Sequence, residues 1–364
     1  MKYVLALFAL GTTLNSYAQS SGKMDFETYD PVSTLVVPEH KLTRAKFPFI
    51  DVHVHRWGDA MSPNNLRSLI ADMDKLNMQV MVNLSGGNGG ELKNMSENVK
   101  ENYPKRFIIF ANIDFDNLGS AGWTEKAVKQ LEEDVKNGAN GLKIFKDLGF
   151  NVKDVNGKRV TVDDSRLDAI WEKCGELKIP VIIHTADPKP FWDAEDEHNE
   201  RWLEIKTHPR RKRSATDPAP WETLIEEQHR MFMKHPKTTF IAAHFGWYAN
   251  NLNKLDSLLT QMPNVVVEFG AVIAELGRQP RAAKKFFEKY QDRILFGKDS
   301  WAPEEYATYF RVLETEDEYF PYHKKYHAFW PMYGMGLPDD ILKKVYYKNA
   351  IRIVPNIDKS QFPE

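Results

Sequence analysis

From residue 47 onward the chain alternates short, almost wholly apolar runs with longer stretches of helical spacing. The apolar runs, rich in Val, Ile and Phe, occupy 47–54, 79–85, 106–113, 140–146, 179–185, 238–244, 264–270 and 293–299. Their lack of strict in–out alternation suits strands buried on both faces, as in a parallel sheet. Between them, apolar residues recur every three or four positions over 64–77, 91–103, 124–137, 165–178, 221–235, 251–262 and 281–290, and a last helix is predicted over 339–354. Eight strands each followed by a helix predict an α/β fold closed as a (β/α)8 TIM barrel, one domain over 47–357. An open doubly wound sheet is the alternative, but no GxGxxG follows the first strand to support it. Two connections are long, one after strand 5 (187–220) and one after strand 8, the latter dense in aromatics between Tyr319 and Tyr333. At the C-terminal face of a barrel both would overhang the mouth, as a lid that excludes water or as a subunit interface, which would make a homo-oligomer.

The flanks carry little of this pattern. Lys2, the apolar stretch Val4 to Leu14 and the small residues around Ser16 and Ala18 form an export signal over 1–18, with cleavage expected between Ala18 and Gln19. A periplasmic or secreted protein is therefore expected. A membrane anchor needs about 20 apolar residues, and Gly11, Thr12, Thr13 and Asn15 interrupt this run. Residues 19–46 read as an N-terminal extension and 358–364 as a tail. The 49 Lys and Arg balance 51 Asp and Glu, so charge gives no footprint for nucleic acid or an anionic membrane. The basic run from His208 to Arg213 has no interleaved aromatics and reads as a solvated loop. The single cysteine, Cys174, cannot form an internal disulfide and reads as a buried thiol.

Chemistry gathers at the strand ends. His53-Val54-His55 ends strand 1, Lys143 lies in strand 4, His184 ends strand 5, His244 ends strand 6 and Asp299 ends strand 8. Two histidines two apart merely share a strand face. In a barrel, however, all five strand ends converge on one mouth, and imidazoles with a carboxylate suit a divalent ion, Zn2+ foremost and Mn2+ as the alternative. Such an ion lowers the pKa of bound water toward about 7. Each residue also has a plainer role: packing for the histidines, a helix cap for Asp299, an anion contact for Lys143 or Lys146. Arg56, Trp57, Asp187, Trp247 and Arg278 flank these positions as substrate-binding candidates for a small molecule. For Arg278 a surface ion pair is the competing role.

The set of HxH on strand 1, Lys on strand 4, His on strands 5 and 6 and Asp on strand 8 resembles the amidohydrolase superfamily over 47–354. The segments GLKIFKDLG, PVIIHTADP, ELGRQP and YYKNA resemble its amidohydrolase 2 branch of decarboxylases and lactonases. That resemblance implies one metal on His53, His55, His184 and Asp299, with Asp299 moving a proton and His244 polarising the substrate or acting as acid or base. In binuclear members a carbamylated strand-4 lysine bridges two ions, which would place Lys143 with His184 and His244 on a second metal. The activity so implied is hydrolysis of an amide, ester or lactone. Non-oxidative decarboxylation and a non-catalytic binding barrel are the alternatives.

Overall fold

The computed structural model describes residues 24–364. The proposed export signal and its cleavage point lie outside the described residues. The chain divides into two units, Met1–Val36 and Val37–Glu364. Of the first, residues 24–36 are largely exposed and carry one turn of 3-10 helix, Phe26–Thr28.

The second unit holds eight strands in the order of the chain: β1 Phe49–Val54, β2 Met78–Asn83, β3 Phe107–Asn112, β4 Ala139–Ile144, β5 Val181–Ile183, β6 Phe240–Ala242, β7 Val265–Glu268 and β8 Ile294–Leu295. Every neighbouring pair is parallel. The ring closes where Val54 bridges Asp299 in parallel and Val52 N–H donates to the Phe296 carbonyl at 2.9 Å. This is the expected (β/α)8 barrel, and each predicted strand has its counterpart. Nearly every strand residue is buried, because helices cover the outside while side chains fill the inside.

Seven of the expected helices follow their strands, at Pro63–Leu76, Gly89–Asn102, Trp123–Lys136, Asp168–Leu177, Trp221–Lys234, Leu252–Gln261 and Pro280–Lys289. The eighth departs from expectation. It forms as Asp339–Lys343, a π-helical turn at Lys344–Lys348, and Asn349–Ile353. At this turn the Val345 carbonyl accepts from Phe296 N–H at 3.1 Å, and Asn349 Nδ2 donates to the Ile294 carbonyl at 2.8 Å. The two-residue β8 is thus held partly by the helix. A further helix, Tyr306–Glu314, occupies part of what the sequence presents as one long loop. Its Tyr306, Tyr309 and Phe310 are buried with Phe49, Phe296 and Tyr346 in an aromatic cluster beneath the β1–β8 seam.

The segments flanking the barrel are tied to it. Arg44 donates to Asn77 Oδ1 at 2.8 Å, Lys46 meets Asp339 at 2.6 Å, Asp358 meets Lys105 at 2.6 Å, and Phe362 stacks on Tyr347. No described helix is long and apolar enough to cross a membrane.

Candidate metal centre

Two of the strand-1 side chains meet Asp299 at the mouth. His53 Nε2 lies 3.2 Å from His55 Nε2, and Asp299 Oδ1 lies 3.5 Å from each. The His53 tautomer follows from the partner of its other ring nitrogen: Nδ1–H donates to Glu268 Oε1 at 2.8 Å, so Nε2 presents a lone pair. His55 Nδ1 pairs with Ser85 Oγ at 2.9 Å, a hydroxyl able to accept its N–H, and in that form both Nε2 atoms present lone pairs to each other and to a carboxylate oxygen. Three electron-rich atoms this close repel unless a cation lies between them. Their separations match the ~3.3 Å expected between tetrahedral ligands on bonds of about 2.0–2.1 Å. The donor set fits a divalent ion.

Electrostatics points the same way. Burial, reinforced by the Lys143 ammonium, holds His53 well below the usual imidazole value and brings His55 down to about 4. Neutral imidazoles are the form that binds metal. Burial pushes the Asp299 carboxyl up, but His53, His244, His55 and Lys143 outweigh it, so the group stays below the ordinary carboxylate value. Lys143, fully buried with Nζ 3.5 Å from His53 Nε2, is brought down to about 8 by burial, against the pull of Asp299 and Glu268.

His184 and His244 form a second pair rather than joining the trio. His184 Nδ1 lies 3.3 Å from His244 Nε2, while His244 Nδ1–H donates to the Gly270 carbonyl at 2.7 Å. His184 Nε2 is buried without a hydrogen-bond partner, 4.0 Å from Asp187 Oδ1. The backbone that carries His244 is unusual: His244, Phe245, Gly246 and Trp247 all have left-handed φ, from +56° to +62°. For non-glycine residues this costs of order 1–3 kcal/mol each. The bonds to Glu268 and Gly270, the burial of Phe245 against Phe286 and Phe287, and the stacking of Trp247 on His244 at 4.6 Å hold the turn in place.

The substrate candidates divide. Trp247 lines a cavity of about 180 Å³ over the site, with its indole N–H unpartnered. Asp187 lines it too, but its carboxylate is engaged by Lys146 at 2.6 Å and Arg213 at 3.0 Å. Arg213 belongs to the basic run 208–213, of which Arg211 also reaches a carboxylate, that of Glu204. Trp57 is exposed and stacks on His55, with centroids 5.2 Å apart. Arg56 is half-buried, donates to the Ala60 carbonyl at 3.4 Å, and leaves its Nε without a partner. Arg278 stands apart from the cavity lining, clamped by both oxygens of Glu200 at 2.7 and 3.2 Å and stacked over Trp330.

Both long insertions reach the cavity. Arg201 and Glu204 come from the first, Tyr322, Lys324 and His327 from the second. They are latched together: Arg201 donates to the His327 carbonyl at 2.7 Å and pairs with Glu204 and with Glu275 of the β7 loop. A larger cavity, about 450 Å³, opens among Cys174, Asn264 and Arg293 at the opposite, N-terminal strand ends. Barrel chemistry resides at the other face, where the ligand cluster is, so we assign the site to the smaller cavity.

Sequence reasoning passed over Glu268, Asp51 and Lys298. Glu268 is fully buried, one carboxyl at the end of the run Val265-Val266-Val267, and that interruption was the available signal. Asp51, two residues before His53, is pushed up to about 7 by burial. Its oxygens accept from His53 N–H at 2.9 Å, Lys298 N–H at 3.2 Å and Tyr306 Oη–H at 2.7 Å.

With this geometry in hand, the comparison with known families is decisive: the amidohydrolase model, Amidohydro_2, matches residues 50–355. The chain belongs to this amidohydrolase family. No curated protein matches it. Similar solved structures include a dihydroxybenzoic acid decarboxylase from a Polaromonas species with bound manganese and 2-nitroresorcinol (15% identity, 86% of this chain and 99% of that one, TM-score 0.54). An uncharacterised TIM-barrel protein from Bordetella bronchiseptica (16%, 84% and 97%, TM-score 0.52) and a 4-oxalomesaconate hydratase from Rhodopseudomonas palustris (14%, 86% and 97%, TM-score 0.51) are also similar. At such identities the likeness bears on the fold alone.

Proposed function

We propose that this amidohydrolase is an exported, metal-dependent hydrolase that cleaves an amide, ester or lactone of a small molecule. The observation that carries the reading is the trio His53, His55 and Asp299, whose converging lone pairs and spacing suit one divalent ion, Zn2+ or Mn2+. The ion, when bound, supplies Lewis acidity that acidifies water and polarises a carbonyl.

The chain's own groups supply the rest. Asp299, held ionised, accepts a proton from the attacking water and returns it to the leaving amine or alcohol. His244 has its Nδ1–H committed to Gly270, so its Nε2 serves the oxyanion only as an imidazolium, entering with a proton from solvent that it offers as a hydrogen bond and keeps, or else it would ligate a second ion with His184 and Lys143. Trp247 and Tyr322 narrow the cavity and, with the latched insertions, keep bulk water from the reacting carbon.

Decarboxylation is the second reading, favoured by the manganese-bound decarboxylase among the similar structures. Product analysis separates the two: a new carboxylate with released amine or alcohol supports hydrolysis, and CO2 overturns it. Metal analysis of purified protein tests the shared premise. Less than about 0.2 equivalents of tightly bound metal, with no activity on adding Zn2+ or Mn2+, refutes an enzyme of this type in favour of a binding barrel. N-terminal sequencing of protein recovered from outside the cytoplasm tests export, with Gln19 as the expected first residue.

A further inference from the structure

Glu268 is enclosed by the site yet is not in the metal trio. It comes within ligand distance of His53 and His244, but its oxygens are already committed. Oε1 accepts from His53 Nδ1–H and from the backbone N–H of His244, both at 2.8 Å, and Oε2 accepts from Gly270 N–H at 2.6 Å. Gly270 in turn accepts the His244 ring N–H. One carboxylate thus closes a hydrogen-bonded ring with His244 and Gly270 and ties His53 to it. No lysine or arginine among the described residues pairs with it within 4.0 Å, so its direct partners are N–H groups, with the buried Lys143 acting on it only through space. A buried carboxylate in such a place is costly unless every lone pair is used. Gly297 leaves just enough space for it, since a Cβ there would fall 2.2 Å from Oε2.

We propose that Glu268 is a positioning residue that couples the metal position to His244. Resting on the metal-dependent reading above, it acts in two ways. Toward β1 it fixes His53 as the Nδ1–H tautomer, so that Nε2 offers its lone pair to the ion, and it raises the donor strength of that nitrogen. Toward β6 it holds the first N–H of the left-handed turn, which aims His244 across the same mouth. Sequence separates these elements by almost two hundred residues, and a single side chain sets both.

The test uses Zn2+ affinity of the full chain, measured by competition with a chromophoric chelator, for the wild type, Glu268→Gln and Glu268→Ala. Glutamine keeps one acceptor oxygen but turns an NH2 toward Gly270 N–H, so roughly a 10-fold weaker affinity is expected, against roughly 100-fold for alanine. Circular dichroism and thermal unfolding of the metal-free proteins report folding separately. A folded Glu268→Ala variant that binds Zn2+ within threefold of wild type overturns the proposal, even if it is less stable. Nitrogen-15 NMR of histidine side chains in the wild-type metal-free protein decides the matter without any variant. His53 and His244 are expected in the Nδ1–H form, and an Nε2–H form of His53 overturns the proposal. Should the wild type bind no Zn2+, the metal reading fails while the tautomer measurement still judges Glu268.

Discussion

Substituting Gly297 by alanine tests how tightly strand 8 is built against the site. The added Cβ would stand 2.2 Å from Glu268 Oε2, 3.1 Å from its Cδ and 3.0 Å from His53 Cβ. Relief requires the carboxylate to retreat by about 1 Å, given an ordinary carbon–oxygen contact of about 3.2–3.4 Å. The bond from Gly270 N–H, now 2.6 Å, then lengthens past hydrogen-bonding range. Loss of a charged hydrogen bond costs about 1.5–3 kcal/mol and overpacking about 1–3 kcal/mol, so a destabilisation of ~2.5–6 kcal/mol is expected. For a chain of this length that lowers Tm by roughly 3–8 °C. Because His53 shifts with its partner, turnover with saturating metal should fall by about 100-fold. Differential scanning calorimetry and a single-substrate assay measure the two effects. A Tm within 1 °C of wild type together with undiminished turnover would show that the β8 backbone yields freely and that the packing described here does not constrain the site.

Three further outcomes are expected. Lys143→Ala should retain one full metal equivalent, since His53, His55 and Asp299 are spaced for an ion without it; loss of all bound metal by elemental analysis would make the lysine indispensable. Cys174, buried and with its thiol pushed up by burial, should be silent to a chromogenic thiol reagent in buffer and give one equivalent in denaturant. Acid should destabilise the fold through His229 and His327, both brought down to about 4, chiefly by burial. A depressed imidazole value means that the unfolded chain takes up the proton first, so stability is full above pH ~6.5 and falls between there and pH ~4. The loss is about 2 kcal/mol for each after allowance for partial exposure; a urea midpoint that stays constant over this range in wild type, or the same slope in His229→Gln, contradicts the assignment.

The barrel was legible because strand burial on both faces leaves an unmistakable apolar run, and every one of the eight runs became a strand. His53, His55 and Asp299 were legible because a ligand-type residue at the end of such a run has few structural uses. Glu268 obeys the same rule, but its run ends in a single carboxylate followed by Phe269, without a histidine or aspartate motif to mark it. The two-metal resemblance already grouped His184 with His244, but the turn that carries His244 was not legible, since it takes four consecutive left-handed residues that no local pattern announces, Gly246 excepted. Nor was the π-helical turn at Lys344–Lys348, where the Val345 carbonyl accepts from the amide of Phe296, a partner supplied only by tertiary structure. Arg278 illustrates the opposite difficulty, a guanidinium at the mouth in sequence that Glu200, 78 residues away, claims in space.

The seam between the first and last strands gives Asp299 a double duty. Its backbone N–H donates to the His53 carbonyl at 2.6 Å while its side chain completes the trio with that same histidine. The carboxylate therefore arrives only when the ring shuts, and the ring shuts only after nearly three hundred residues have left the ribosome. A nascent or truncated chain holds the HxH pair but no finished coordination sphere, so strong metal capture is postponed until the barrel exists. Were the chain exported unfolded, that order of events would keep the ion out of the cytoplasmic chain and leave loading to the compartment where folding ends.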